Sequence, residues 1–273
     1  MSPLISVEEL QARQDGVKVL DASWHLDGRD ARAAFGQGHV PGAVFFDLDA
    51  ASDQTSALPH MLPPPEAFAA FVGALGIRET DHVVVYDTAG LFSAARVWWM
   101  FRVMGAERVQ VLDGGLPAWR AAGGEIETGA GVAPASTRFT PRFTSDAVAA
   151  IEDVRTALAA SDQVVDARGG ARFRGEAAEP RPGVRPGHMP GALNLPYSAL
   201  LTPEGRLKRG ATLEAAFRDA GVDIHRPVTT TCGSGVTAAI LSLGLAELGR
   251  GSRLYDGSWA EWGSRTDTSI QTG

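Results

Sequence analysis

The sequence predicts an α/β fold of two homologous domains, each with a mainly parallel sheet flanked by helices. Short apolar runs alternate with amphipathic stretches along the chain, which is typical of strands that are connected by helices. The strand-like runs are continuously apolar rather than alternating, as expected when both faces of a sheet are covered. An internal repeat then indicates that this pattern occurs twice.

The repeat consists of four matches in the same order and at nearly the same interval. Gly-His-Val-Pro-Gly-Ala at 38–43 returns as Gly-His-Met-Pro-Gly-Ala at 187–192. The other matches are Asp21-Ala22 with Asp166-Ala167, the runs that end at Asp87 and at Cys232, and Asp113-Gly114 with Asp256-Gly257. Two homologous domains account for this order.

The elements follow from local composition. Short runs rich in residues that favour strands predict strands at 17–21, 43–46, 82–86 and 108–112, then at 163–166, 192–195, 228–231 and 252–255. Apolar residues at helical spacing predict helices at 29–36, 65–75, 92–104 and 116–122, then at 147–160, 212–220 and 236–248. Residues 123–142 are rich in Gly, Ala, Pro, Ser and Thr without helical periodicity. We therefore expect domain one at 1–125, an extended connector at 126–145 and domain two at 146–273.

Composition and charge exclude several classes of function. The chain has 273 residues, a net charge of −7 and one cysteine. An acidic balance argues against a nucleic-acid binder, and a single cysteine excludes an internal disulfide. No apolar run reaches the roughly 18 residues of a membrane span, and the first residues do not resemble a targeting signal. We expect a cytoplasmic protein that binds neither nucleic acid nor membrane. Because there is no Walker loop, dinucleotide fingerprint or cluster of metal ligands, we expect no cofactor.

Cys232 stands in a strand-to-helix loop, Cys-Gly-Ser-Gly-Val-Thr, at 232–237. Gly233 and Gly235 allow a tight turn in which successive N–H groups converge, and the following helix adds its positive end. Both effects favour a thiolate, or a sulfur anion one atom further out. The alternative is a buried, inert cysteine. A cysteine phosphatase is disfavoured because Ala238 occupies the place of its arginine.

The duplicated halves and this loop resemble the tandem-domain rhodanese family of sulfurtransferases. The similarity spans nearly the whole chain and includes Phe45–Asp49, Val97–Arg102 and Arg172–Gly175. It implies that Cys232 accepts sulfur as a persulfide, with the amides of Gly233, Gly235, Val236 and Thr237 binding the anion. Asp87 stands at the equivalent position of domain one, which should therefore be catalytically inactive.

The loop also bears on the sulfur donor. Thiosulfate enzymes of the family carry basic residues just after the cysteine, whereas Gly233 and Ser234 are neutral. The resemblance is thus greater to the members that use 3-mercaptopyruvate, and it implies that Arg172 and Arg181 hold the donor's carboxylate and keto oxygen. A guanidinium suits that role because its planar fork matches a carboxylate. From the residues alone, a solvated loop in which Glu176 and Glu179 pair with the arginines remains open. Arg174 and Arg185 are weaker candidates.

A proton relay is also implied by the resemblance. It would join Ser234 to His60 and Asp49, with domain one approaching the cysteine loop. From the residues alone, His60 could be an exposed loop histidine and Asp49 a turn or cap residue. His39, His188, Asp21 and Asp166 recur in both halves, so we expect structural roles for them. The tryptophans Trp98, Trp99, Trp119, Trp259 and Trp262 are expected in the core.

The expected partners are a small-molecule sulfur donor and an acceptor, which is cyanide or the thiol of a small molecule or of reduced thioredoxin. Two alternatives remain open. One is a thiosulfate sulfurtransferase, and the other is a non-catalytic carrier that holds a persulfide made elsewhere.

Overall fold

The computed structural model describes residues 2–13, 16–131 and 133–273. Residues 1, 14 and 15 of the predicted first domain and residue 132 of the predicted connector lie outside this description. The chain divides into two compact units. Unit 1 comprises Met1–Gln54, Leu62–Thr144 and Pro203–Leu207, and unit 2 comprises Thr55–Met61, Ser145–Thr202 and Lys208–Gly273. The domain boundaries predicted above follow the sequence repeat alone and stay predictions.

Each unit contains a five-stranded sheet in which the paired strands are parallel. Unit 1 has β1 (Leu4–Ile5), β2 (Lys18–Asp21), β3 (Val44–Phe45), β4 (Val83–Tyr86) and β5 (Val109–Leu112) in the order β1-β5-β4-β2-β3. Unit 2 has β6 (Val148–Ala149), β7 (Gln163–Asp166), β8 (Leu193–Asn194), β9 (Val228–Thr231) and β10 (Arg253–Tyr255) in the order β6-β10-β9-β7-β8. The predicted α/β class, with two homologous halves, is confirmed.

Helices flank both sheets. Unit 1 has α1 (Val7–Gln11), α2 (Ala31–Gln37), α3 (Pro65–Ala74), α4 (Ala94–Val103) and α5 (Gly115–Ala121). Unit 2 has α6 (Ile151–Ala159), α7 (Gly170–Phe173), α8 (Gly210–Asp219), α9 (Ala238–Glu247) and α10 (Ser258–Trp262). Short 3₁₀ turns occupy Ser145–Ala147 and Tyr197–Leu200. Among the residues with described positions, no helix is long and apolar enough to cross a membrane.

The prediction of a helix from 147 to 160 was wrong at its start. Val148 and Ala149 form β6, which pairs with β10, and α6 begins only at Ile151. The side chain of Asp153 accepts a hydrogen bond from the amide of Ala150 at 2.8 Å and so fixes the helix start. A two-residue edge strand gives no periodic signal, so the helical pattern extended through it.

The core lies between each sheet and its helices. Strands β4, β5, β7 and β9 are buried along their whole length, and most of their residues are the β-branched Val and Thr that favour strands. Helices α4 and α9 are almost completely buried. The predicted core position of the five tryptophans named above is confirmed.

The predicted connector packs against unit 1 where it is described. Phe139 is buried, and its ring lies 5.7 Å from that of Phe68 and 6.2 Å from that of Phe101. The amide of Thr137 donates to the carbonyl of Gly73 at 2.8 Å. A Cβ at Gly73 would lie 2.6 Å from the carbonyl oxygen of Thr137, so a larger residue would push the connector away.

Candidate active site

Cys232 lies immediately after β9 at the carboxyl end of the parallel sheet of unit 2. This is where loops of α/β folds place their functional groups. The cysteine is 2% exposed, and α9 starts a few residues later at Ala238. The predicted strand-to-helix location of Cys232 is confirmed.

The carbonyls at the start of this loop accept hydrogen bonds from α10, whereas the amides that follow Cys232 do not bond to this helix. The carbonyl of Cys232 accepts a hydrogen bond from the amide of Trp259 at 2.9 Å, and that of Gly233 accepts one from Ala260 at 2.8 Å. Gly235 has φ +78°, which lets the chain turn before the helix. Within the described parts of the chain, the amides of residues 233–237 have no protein acceptor. They are therefore available to an anion at Cys232.

The corresponding loop of unit 1 carries its own hydrogen-bond acceptor, the side chain of Asp87. The carboxylate of Asp87 accepts hydrogen bonds from the amides of Ala89 at 2.9 Å, Phe92 at 2.7 Å and Ala94 at 2.9 Å. Burial raises the pKa of Asp87, and these amides act in the opposite direction. The amides of this loop type thus converge on one acceptor group, which unit 1 supplies from its own side chain.

Removing the carboxylate of Asp87 should destabilise unit 1. Asp87→Ala leaves the three amides without their acceptor inside the protein, at an expected cost of at least about 2 kcal/mol. Asp87→Asn retains one acceptor oxygen and should lose less. Urea unfolding, followed by near-ultraviolet circular dichroism, measures the free energy of unfolding. Equal stability of Asp87→Ala and the parent would contradict this account of the loop.

Ser234 and His60 are brought together within unit 2. The side-chain oxygen of Ser234 lies 3.0 Å from Nδ1 of His60, and both residues are buried. His60 belongs to the segment Thr55–Met61, which is part of unit 2 although it precedes α3 in the sequence. Its φ is +58°, an uncommon conformation for a residue other than glycine and one that clusters at functional sites. His60 is therefore not the exposed loop histidine that its sequence context left open.

Asp49 lies in unit 1 on the turn that follows β3. One of its carboxylate oxygens accepts a hydrogen bond from the indole Nε1 of Trp24 at 3.2 Å. Its backbone carbonyl accepts another from the side chain of Gln54 at 2.7 Å. The predicted role of Asp49 in a proton relay stays a prediction.

Arg172 lies beside the cysteine loop. A Cβ at position 233 would be only 3.0 Å from Nη2 of Arg172, so glycine at that position gives the guanidinium room to approach. The carboxylate of Glu179 accepts hydrogen bonds from Nε and Nη2 of Arg172, whereas Nη1 has no acceptor among the described residues. One edge of the guanidinium is thus held by Glu179, and donor capacity remains for a ligand. Arg181 lies partly buried in the loop after Glu179.

Glu179 connects Arg172 to a buried network that the sequence analysis missed. Arg168 donates to Glu179 at 2.8 Å and to Asp166 at 2.6 Å, and it stacks 4.4 Å above the ring of Trp259. Burial lowers the pKa of Arg168, but the neighbouring carboxylates outweigh this effect and raise it overall. The signal was present in the repeat, because Arg168 stands where the first half has Ser23.

The two weaker arginine candidates have structural partners. Arg174 forms a surface ion pair with Glu176 at 2.7 Å. Arg185 donates to the carbonyl of Gly263 at 3.0 Å and to the hydroxyl of Thr268 at 2.8 Å. The solvated pairing that the sequence left open therefore applies to Arg174, but not to Arg172, whose partner Glu179 is only 4% exposed.

The two repeated histidines have the same local role. His39 places Nδ1 2.8 Å from the carbonyl of Phe35 and stacks on that ring, and His188 does the same with Phe173. The prediction that they are structural is supported by these contacts, and Asp21 likewise binds a local amide, that of Ser23.

Comparisons with known proteins agree with these features. A model of the rhodanese-like domain matches residues 6–122 and 150–265. The chain is 45% identical to the 3-mercaptopyruvate sulfurtransferase of Escherichia coli K12 over 93% of this chain and 92% of that protein. It is 41% identical to the mitochondrial thiosulfate/3-mercaptopyruvate sulfurtransferase 1 of Arabidopsis thaliana, over 99% and 78% of the two chains.

A solved structure supports the same assignment. The crystal structure of SseA from Escherichia coli, whose title describes the rhodanese fold of 3-mercaptopyruvate sulfotransferases, matches with a TM-score of 0.87 and 41% identity. The match covers 95% of this chain and 99% of that one. This chain therefore belongs to the rhodanese-like domain family and is a sulfurtransferase with two copies of that domain.

Proposed function

We propose that the chain is a 3-mercaptopyruvate sulfurtransferase that passes sulfur through a persulfide on Cys232 to cyanide or a thiol. One observation carries the proposal. The loop of Cys232 has amides without a protein acceptor, and the guanidinium of Arg172 lies next to Gly233 in the same loop. The relative at 45% identity is named for this donor alone and supports the choice of substrate, whereas the relative at 41% is named for thiosulfate as well.

Donor binding is assigned to Arg172 and Arg181. Glu179 holds one edge of the Arg172 guanidinium, and the Nη1 group is left to bind the carboxylate of the donor. Because Glu179 also binds the buried Arg168, the position of Arg172 is fixed by a rigid network. Such preorganisation reduces the entropy that is lost when the donor binds.

The chemical step begins with the thiolate of Cys232. It attacks the sulfur of the donor, a sulfur–sulfur bond forms, and the carbon–sulfur bond breaks with its electron pair going to carbon as the enolate of pyruvate. The sulfur is oxidised to the sulfane level and the carbon is reduced. One proton added to the enolate gives pyruvate. The amides of Gly233, Gly235, Val236 and Thr237 stabilise the sulfur anion, much as amides of the corresponding loop in unit 1 bind the carboxyl group of Asp87.

Proton transfer is assigned to Ser234 and His60, with Asp49 orienting the histidine. The support for the first pair is the 3.0 Å distance between them and their burial beside the loop. An imidazole within hydrogen-bonding distance of a hydroxyl can pass a proton in either direction. The acceptor, cyanide or a thiol such as that of thioredoxin, then attacks the outer sulfur and releases the Cys232 thiolate.

Arg172→Ala should impair the use of the donor. Loss of one charge-assisted hydrogen bond is worth ~1.5–3 kcal/mol, so kcat/KM for 3-mercaptopyruvate should fall roughly ten- to a hundredfold. Steady-state turnover with cyanide as acceptor measures it. Arg174→Ala is the matched control, because this surface arginine pairs only with the exposed Glu176 in the contacts described. Equal losses in the two variants would remove Arg172 from the donor site.

The donor itself is tested by comparing kcat/KM for 3-mercaptopyruvate and thiosulfate side by side, with cyanide as acceptor. A large preference for 3-mercaptopyruvate is expected because Gly233 and Ser234 offer no cation to a sulfonate. A preference for thiosulfate would overturn this choice of donor. Absence of turnover with either donor would favour a persulfide carrier instead.

A further inference from the structure

Ser258 forms a hydrogen bond with the backbone of Cys232 from the segment after β10, the strand that pairs with β9. It is the first residue of α10 and is fully buried. Its hydroxyl oxygen accepts a hydrogen bond from the amide of Cys232 at 3.3 Å, and the hydroxyl donates to the carbonyl of Tyr255 at 2.8 Å. The hydroxyl of Thr231 lies 3.4 Å away. One side chain thus ties the first peptide of the cysteine loop to the end of β10.

This serine adopts a backbone conformation that favours glycine. Its φ is +51°, and its counterpart in unit 1, Gly115, has φ +54°. The correspondence is fixed by the next amide, since Leu116 donates to Asp87 at 3.0 Å and Trp259 donates to Cys232 at 2.9 Å. Unit 1 has glycine where the loop carries no thiol, and unit 2 keeps a side chain in the same strained conformation.

A Cβ could not be added in unit 1 without moving the loop. It would lie 2.3 Å from the carbonyl oxygen of Asp87, which is closer than real Cβ atoms come. Unit 2 accommodates the Cβ of Ser258, so its loop leaves space that the loop of unit 1 does not. The backbone carbonyl of Cys232 therefore lies further from the Cβ of Ser258 than that of Asp87 lies from the Cβ position of Gly115.

We propose that Ser258 is a positioning residue for Cys232. Its hydroxyl fixes the direction of the Cys232 peptide, and thereby keeps the thiolate aimed into the amides of residues 233–237. A fixed array of donors stabilises an anion without reorganising, whereas a loosened array does so less well. The role in turnover rests on the proposed function, but the role in thiol reactivity does not.

Ser258→Gly and Ser258→Ala separate positioning from stability. Both remove the hydroxyl, but glycine relieves the positive-φ strain and alanine retains it, so the glycine variant should have the higher Tm. The rate of Cys232 alkylation by iodoacetamide is measured across pH. We expect both variants to react about five- to tenfold more slowly near neutral pH, because a lost hydrogen bond is worth about this factor. Turnover of 3-mercaptopyruvate should fall in kcat with little change in KM.

Ser242→Ala is the matched control. Ser242 is a buried serine of α9 whose hydroxyl lies 3.0 Å from that of Thr230, so its loss should lower Tm without changing alkylation. A Ser258→Gly variant that alkylates at the parent rate would overturn the proposal, and so would losses that follow Tm across all three variants. If the parent does not use 3-mercaptopyruvate, the proposed function fails while the alkylation comparison still decides the role of Ser258.

Discussion

Cys232→Ser is expected to abolish sulfur transfer and leave the fold intact. Serine has the shape of cysteine and a slightly smaller terminal atom, so it fits this buried position, but its hydroxyl cannot form a persulfide. The amides of residues 233–237 and the bonds from Trp259 and Ala260 do not depend on the side-chain atom. Thiocyanate formation from 3-mercaptopyruvate and cyanide measures turnover, and the thermal midpoint measures the fold.

The outcome distinguishes the catalytic role from a structural one. Loss of turnover at an unchanged Tm is the expected result. Cys232 is the only cysteine of the chain, so no other thiol can substitute for it. Turnover retained by Cys232→Ser would exclude a persulfide at this position as the route of the sulfur.

His60→Gln is expected to lower kcat about a hundredfold, because general acid–base catalysis contributes at least about that factor. Glutamine can preserve a hydrogen bond to Ser234, but it cannot take up and release a proton. Stopped-flow measurement of pyruvate release isolates the first half of the reaction from acceptor binding. The fall should therefore appear in that half-reaction, with little change in KM.

A double substitution provides the control for this relay. If His60 and Ser234 act as one unit, adding Ser234→Ala to His60→Gln should cost little beyond the larger single effect. If the double variant lost the product of the two single-variant fold losses in kcat, His60 and Ser234 would have independent roles. A parent-like rate for His60→Gln would remove it from the proton path, and its contact with Ser234 would then be structural.

The sequence was sufficient to predict the longer elements and the location of the nucleophile. Strands such as β4 and β9 are buried on both faces, so their composition alone indicates them. The glycines around Cys232 and the apolar stretch that follows place this residue between a strand and a helix. The repeat also identified the two halves and the counterpart of the nucleophile, because Asp87 and Cys232 fall at matching positions.

Short elements were not predicted, for physical reasons. Helices α1, α7 and α10 have one turn or slightly more, which is too short for a periodic apolar pattern. Helix α1 had a local signal that could have been used, since Ser6 and Glu9 form a capping box. No comparable signal precedes α7, although this helix carries Arg172.

Contacts between residues far apart in sequence could not be read from local pattern. The placement of His60 beside Ser234 depends on the segment Thr55–Met61 joining unit 2. The pairing of Glu179 with both Arg168 and Arg172 depends on the fold of the loop after α7. A single sequence shows these charges but not which of them are buried together.

The most direct test of the account is a single turnover without acceptor. The protein, in excess over 3-mercaptopyruvate, is quenched and digested, pyruvate is quantified, and the peptide that contains Cys232 is examined by mass spectrometry. We expect one pyruvate per donor consumed and the mass of one added sulfur atom on Cys232, which cyanide then removes. Pyruvate formed without sulfur on Cys232, or no pyruvate at all, would contradict it.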